Sequence, residues 1–113
     1  MINLACKNIS VEELIRCAFN LKKTEYQIIR ILLKHPGLTS HELSQKLEKD
    51  VTTIQKSLKI LSQEGLVLRK QRNLEQGGYE FYYESIPKNK IKENIEINLK
   101  NFEDKVLDAI RNF

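Results

Sequence analysis

The 113-residue chain contains no tryptophan, one methionine, two cysteines, two prolines and four glycines. Two cysteines cannot supply a disulfide framework, and they fit a protein of a reducing compartment. No apolar run is long enough to cross a bilayer, and the start, MINLACKNIS, lacks the charged and apolar regions of a signal peptide. We therefore expect one small cytoplasmic protein with no membrane partner.

Patterns of catalytic and metal-binding residues are also missing. The sequence has no Ser/His/Asp, Cys/His or paired-carboxylate set at a readable spacing, and its one glycine pair lies in a turn. Cys6 and Cys17 lie too far apart along one helix for a disulfide, and they form no metal-binding pattern with either histidine. We interpret them as buried or unreactive thiols, with a redox or metal role as the minor alternative. The sequence predicts no enzyme, no cofactor and no metal site.

Positive charge is concentrated in one region of the chain. Residues 45–72 contain seven basic and three acidic residues, which equals the net charge of +4 of the whole chain. A polyanion would be attracted to this region rather than to the whole molecule. Charge alone does not separate this interpretation from that of a solvated basic face.

Capping boxes mark three helix starts, because a hydroxyl residue precedes Glu or Gln by three positions. The pairs are Ser10 with Glu13, Thr24 with Gln27, and Thr39 with Glu42. They predict helices over residues 11–19, 25–34 and 40–48. Asp50 as a cap and Gly65 as a stop delimit a fourth helix that reaches Glu64.

The third and fourth helices are joined by only two residues, which is typical of a helix-turn-helix. Residues 66–72 and 79–84 are rich in strand-forming residues, and residues 76–78 supply a turn between them. A hairpin that directly follows a helix-turn-helix describes a winged helix. The predicted fold is mainly α with a small β-hairpin, in which residues 1–86 form a winged helix-turn-helix domain.

Residues 87–113 predict a long helix with one apolar stripe. Its members recur at steps of three and four: Ile91, Ile95, Leu99, Phe102, Val106, Ile110 and Phe113. A stripe of this length exceeds what the small core can cover. We therefore predict a dimerisation helix, joined at the interface by Leu4, Ile9 and the first helix. A helix folded back along its own domain is the alternative.

The polar side of the fourth helix suits the major groove of duplex DNA, where base edges present hydrogen-bond donors, acceptors and the thymine methyl group. We predict base contacts from Thr52, Thr53, Gln55 and Lys56, and a phosphate contact from Lys59. The hairpin would place Arg69, Lys70, Arg72 and Asn73 on the backbone or in the minor groove. A protein-interaction module within a transcription or replication assembly is the main rival, and RNA binding is a third interpretation.

Four segments also resemble a known family. NLKKTEY at 20–26, LTSHEL at 38–43, VTTI at 51–54 and EGLV at 64–67 are similar to archaeal winged-helix regulators of the TrmB type and, more loosely, to the MarR class. The resemblance covers residues 10–85 and implies transcriptional regulation through double-stranded DNA, as a homodimer. Carried over by position, it assigns recognition to Thr52, Thr53, Gln55 and Lys56, with Arg69 and Arg72 on the wing.

The sequence departs from the sugar-sensing members of this family after the predicted C-terminal helix. TrmB-type proteins that sense sugars carry a large C-terminal effector domain, and we expect none here. Sugar sensing is therefore not implied. A small-molecule effector, whose identity the sequence does not predict, would have to bind at the dimer cleft, as the likeness to MarR proteins implies.

Overall fold

The computed structural model describes residues 9–113, so the roles predicted for Leu4 and Cys6 lie outside the described residues. Five helices and one hairpin follow each other along the chain. They are α1 (Val11–Phe19), α2 (Lys23–Lys34), α3 (Ser40–Leu47), α4 (Val51–Gln63), β1 (Val67–Asn73), β2 (Tyr79–Ser85) and α5 (Lys88–Arg111). The predicted fold class, a winged helix-turn-helix followed by a long helix, is confirmed. No helix within residues 9–113 has the length and apolar character needed to cross a membrane.

Local hydrogen bonds explain where the helices begin. The Glu13 N–H donates to Ser10 Oγ (3.0 Å), which confirms the cap of α1. At α3 the capping box is complete, since the Glu42 N–H donates to Thr39 Oγ1 (3.1 Å) and the Thr39 N–H donates to Glu42 Oε1 (3.0 Å).

The prediction of Thr24 as the cap of α2 is wrong. The helix begins at Lys23, and the carboxylate that closes its first turn belongs to Glu25. Glu25 Oε1 accepts from the Lys22 N–H at 3.1 Å, and the glutamate side chain is buried. The buried carboxylate of Glu25 therefore satisfies the backbone N–H of Lys22, the residue that precedes the helix.

One core joins all the helices. The buried side of α4, with Ile54, Leu58 and Leu61, belongs to the same cluster as Ile28 and Ile29 of α2. Gly65 ends α4 in the left-handed region (φ 73°), where a side chain would be strained. Helix α4 is therefore fixed along one side by apolar packing, and its opposite side faces solvent.

The hairpin is attached to the start of α3. Strands β1 and β2 pair antiparallel, with Lys70 opposite Tyr82. The segment before α3 adds two hydrogen bonds to β2, from the Gly37 N–H to the Tyr83 carbonyl (2.9 Å) and from the Tyr83 N–H to the Leu38 carbonyl (2.8 Å). Gly37 has φ 91°, so this connection also needs a glycine. The wing is thereby held in a fixed position beside the helix-turn-helix.

Helix α5 has two different halves. Ile91 and Ile95 are buried in the protomer's own core, and Asn98 Nδ2 donates to the Ala18 carbonyl at the end of α1 (3.1 Å). The assignment of Ile91 and Ile95 to a dimer interface is therefore revised, because their own domain already covers them. Every residue from 99 to 113 is exposed, and the helix extends the molecule to 64 × 23 × 23 Å.

Candidate nucleic-acid interface

The side of α4 that faces solvent carries all five residues of this helix that were predicted to contact DNA. The exposed residues are Thr52, Thr53, Gln55, Lys56 and Lys59. Within residues 9–113, neither Lys56 nor Lys59 takes part in an ion pair. The helix therefore presents hydroxyls, an amide and two uncompensated ammonium groups on one surface.

Asp50, the N-cap residue of α4, adds a negative charge at the start of this surface. Hydrogen bonding with the Thr53 hydroxyl is the main cause that lowers the pKa of its carboxyl, and Lys56 lowers it further. A carboxylate at the N-terminus of a helix is stabilised by the positive end of the helix dipole. Asp50 thus brings a negative charge close to Thr53 and Lys56 on this surface.

A buried polar contact that the sequence did not predict fixes α4 against α2. Ser57 Oγ donates to Glu25 Oε2 at 2.7 Å, and both residues are almost fully buried. Each oxygen of the Glu25 carboxylate thus has a partner, one in the first turn of α2 and one on α4. The available signal was the position of Ser57, which is a polar residue at helical spacing among apolar ones.

The wing carries ion pairs that neutralise two of its predicted DNA contacts. Lys70 Nζ lies 2.8 Å from Glu84 Oε2, and Arg72 Nε lies 2.6 Å from Glu80 Oε1. Hydrogen bonding with Glu84 raises the pKa of Lys70. The expectation of one continuous basic surface over helix and hairpin is therefore revised, because uncompensated positive charge is concentrated on α4.

The remaining wing cation is Arg69, whose guanidinium lies 4.3 Å from the centre of the Phe81 ring. Phe81 in turn packs edge-to-face against Tyr79, at 5.5 Å between ring centres. Stacking orders a guanidinium without neutralising its charge. Asn73 is exposed at the end of β1, beside the hairpin turn. Arg69 and Asn73 are thus the predicted wing residues that keep their polar groups available.

The first turn of α3 lies beside the wing. The hydrogen bond from the Thr39 N–H is the main cause that lowers the pKa of Glu42. The positive charges of Arg72 and Lys46 lower this pKa further. His41 and Gln45 are exposed on the same helix, with His41 Nε2 3.2 Å from Gln45 Nε2. Helix α3 therefore presents polar groups between the wing and the turn that leads into α4.

Among residues 9–113 there is no group of three or more His, Cys, Asp or Glu side chains that could hold a metal ion. Cys17 is exposed on α1, so of the two interpretations, a buried or an unreactive thiol, the first is wrong and the second stays a prediction. It lies on another element than the residues predicted to bind DNA.

Comparison with known proteins agrees with this architecture. The family profile described as "Sugar-specific transcriptional regulator TrmB" matches residues 15–89. A possible transcriptional regulator from Methanosarcina mazei has a solved structure similar to the whole chain, with a TM-score of 0.86 and 33% identity over 96% of its own length. An uncharacterised protein of Methanocaldococcus jannaschii is 29% identical over 90% of this chain and 77% of its own length.

A MarR family protein from Bacillus stearothermophilus shares the fold, with a TM-score of 0.55 and 21% identity over 84% of this chain and 66% of its own. The residues that the TrmB profile matches, 15–89, include the helix-turn-helix, the wing, and both Glu25 and Ser57, which form the buried contact. The chain belongs to the TrmB family of winged-helix transcriptional regulators.

Proposed function

We propose that this protein binds specific sites in double-stranded DNA as a homodimer, with α4 of each subunit in the major groove. The observation that carries the proposal is the two-sided character of α4. Ile54, Leu58 and the bond from Ser57 to Glu25 hold one side, and the predicted contact residues occupy the other. A rigid helix with polar groups at fixed positions is what direct readout of base edges requires.

The side chains suggest a division of roles along α4. Gln55 can form two hydrogen bonds with adenine, and Lys56 can contact guanine or a phosphate. Thr52 offers a hydroxyl and a methyl group, as does Thr53, which lies near the negative charge of Asp50. Lys59 lies a turn further along the helix, where we expect a phosphate.

The wing would contribute through Arg69 and Asn73 first. Lys70 and Arg72 can reach a phosphate only by exchanging their partners Glu84 and Glu80 for it. Exposed ion pairs of this kind are weak and screened by salt, so the exchange is feasible. We expect the wing to add less affinity than its three basic residues suggest.

The proposed dimer rests on the outer half of α5. Its exposed apolar residues are Leu99, Phe102, Val106, Leu107 and Ile110, with exposed fractions of 39% to 64%, and the exposed Phe113 follows the helix. Leu99, Phe102, Val106 and Ile110 recur at steps of three and four residues, so they lie along one side of the helix. An identical helix is the partner that an unpaired apolar stripe of this kind fits.

Selection of bound sequences from random duplex DNA tests the proposal and returns the half-site. We expect an inverted repeat with centres about 10 bp apart, because two recognition helices on one face of DNA are separated by about one turn. Gln55→Ala should relax the preference at one base pair, by about 1–3 kcal/mol. Lys59→Ala should weaken all duplexes alike, whereas Lys88→Ala, an exposed lysine outside the interface, should change neither. Failure to enrich any duplex would favour the protein-interaction module.

The dimer has its own test. Phe102→Glu with Val106→Glu places charges in the proposed interface, so we expect monomers that keep the fold and lose specific binding. Lys100→Gln with Lys105→Gln, on the same helix, is the control, because it also makes the net charge more negative by two without changing an apolar residue. Sedimentation of the unmodified protein as a monomer at micromolar concentration would contradict the dimer.

A further inference from the structure

A groove of about 440 Å³ lies between the C-terminal halves of α2 and α3, away from the exposed side of α4. Its floor is apolar, since Ile31 and Leu47 are partly buried and pack against the core. Around this floor stand Gln27, Arg30, Lys34, His35 and Lys46. The groove is open to solvent, and it combines an apolar floor with converging polar groups, as small-molecule sites do.

The charge of the groove has one sign. None of its seven lining residues is acidic, and three are basic. Within residues 9–113, Arg30, Lys34 and Lys46 take part in no ion pair. Glu42 lies one turn before Lys46, but its carboxylate accepts the Thr39 N–H at the opposite end of α3. The groove therefore carries three basic side chains that form no ion pair, in contrast to Lys70 and Arg72 of the wing, although the charge of Lys46 also acts on Glu42.

Two features give the cations a defined arrangement. Arg30 and Lys34 are four residues apart on α2, so they project from the same side of that helix, and Lys46 faces them from α3. The Arg30 guanidinium lies 6.0 Å from the centre of the buried Tyr26 ring, which restricts its position. A guanidinium fork and two ammonium groups around one space suit a dianionic phosphate group.

We propose that this groove binds a small phosphate monoester with an apolar body. The phosphate would be bound by Arg30, Lys34 and Lys46, and the apolar body would lie on Ile31 and Leu47. None of the lining residues belongs to α4 or to the wing, so the ligand would not contact the residues predicted to bind DNA. Helix α3 leads into α4 through residues 48–50, so a ligand that bridges α2 and α3 contacts the helix-turn-helix itself.

The test is a titration of the full chain with phenyl phosphate, followed by amide chemical shifts in NMR spectra. We expect shifts at Ile31, Leu47 and their neighbours, weaker binding of inorganic phosphate, and none of phenol. Arg30→Gln with Lys34→Gln should weaken binding of phenyl phosphate by about tenfold or more, since each charged hydrogen bond contributes at least about that factor when it is not screened. Lys88→Gln with Lys92→Gln removes the same charge elsewhere and should leave the affinity unchanged.

Three results would overturn the proposal. They are the absence of shifts in the groove, equal shifts with phenol, and equal weakening by the control variant. A duplex DNA titration separates one further interpretation. If the Arg30 and Lys34 variant loses DNA affinity while phenyl phosphate does not bind, the groove is a backbone contact and not a ligand site. The phenyl phosphate titration requires no DNA, so its outcome is independent of whether the proposed DNA binding holds.

Discussion

Replacing Ser57 with alanine removes the hydrogen bond that joins α4 to α2. In the unmodified protein, Ser57 Oγ donates to Glu25 Oε2 at 2.7 Å, and the two side chains are 5% and 3% exposed. Alanine leaves that carboxylate oxygen buried without its partner, which costs about 1–3 kcal/mol. For a protein of about 100 residues, this corresponds to a fall in Tm of roughly 4 °C to 20 °C.

Ser62→Ala is the matched control, because Ser62 is exposed on the same helix. Both substitutions favour the helix by a similar small amount, so the difference between them isolates the buried contact. Thermal and urea unfolding followed by circular dichroism measure the two stabilities. We also expect Ser57→Ala to weaken specific DNA binding more than Ser62→Ala does, since α4 loses a fixed point. Equal stability of the two variants would refute the inference that this bond fixes α4.

Two further predictions concern carboxylates. Glu80→Gln with Glu84→Gln releases Arg72 and Lys70 from their ion pairs. The affinity for duplex DNA at low salt, measured by fluorescence anisotropy, should therefore rise severalfold. Unchanged affinity would show that the wing does not approach DNA. The pKa of Glu42 in the folded protein is lower than its ordinary value of about 4.5. The ionised carboxylate therefore stabilises the folded state fully at a pH above about 4.5, and this stabilisation is lost as the pH falls through the folded pKa. Glu42→Gln should therefore lower Tm at neutral pH and have no effect in strong acid, and a difference in Tm that is the same at every pH would contradict this.

Local signals predicted the helices because short-range hydrogen bonds determine where helices begin. Ser10 and the box formed by Thr39 and Glu42 cap α1 and α3 as expected. The prediction for α2 was wrong because the buried position of Glu25 depends on α4, which lies 32 residues away in the chain. A capping pattern cannot show which side chain of the first turn faces the core.

Contacts between distant residues account for the other differences. The sequence predicted which residues lie on the exposed side of α4, because periodicity alone determines the side of a helix. It did not predict that the hairpin register would bring Arg72 beside Glu80, or that α1 and the core would cover Ile91 and Ile95. These outcomes depend on how elements pair and pack, which the spacing within one element does not determine.

The salt dependence of binding to a selected duplex tests the central claim most directly. If each subunit of a dimer neutralises about four phosphates, a plot of log K against log salt should have a slope of about −7. Lys59→Ala removes two such contacts per dimer and should make the slope less steep by about 2, whereas Lys88→Ala should leave it unchanged. A slope near zero, or a slope that Lys59→Ala does not alter, would contradict the proposal that α4 carries the DNA contact.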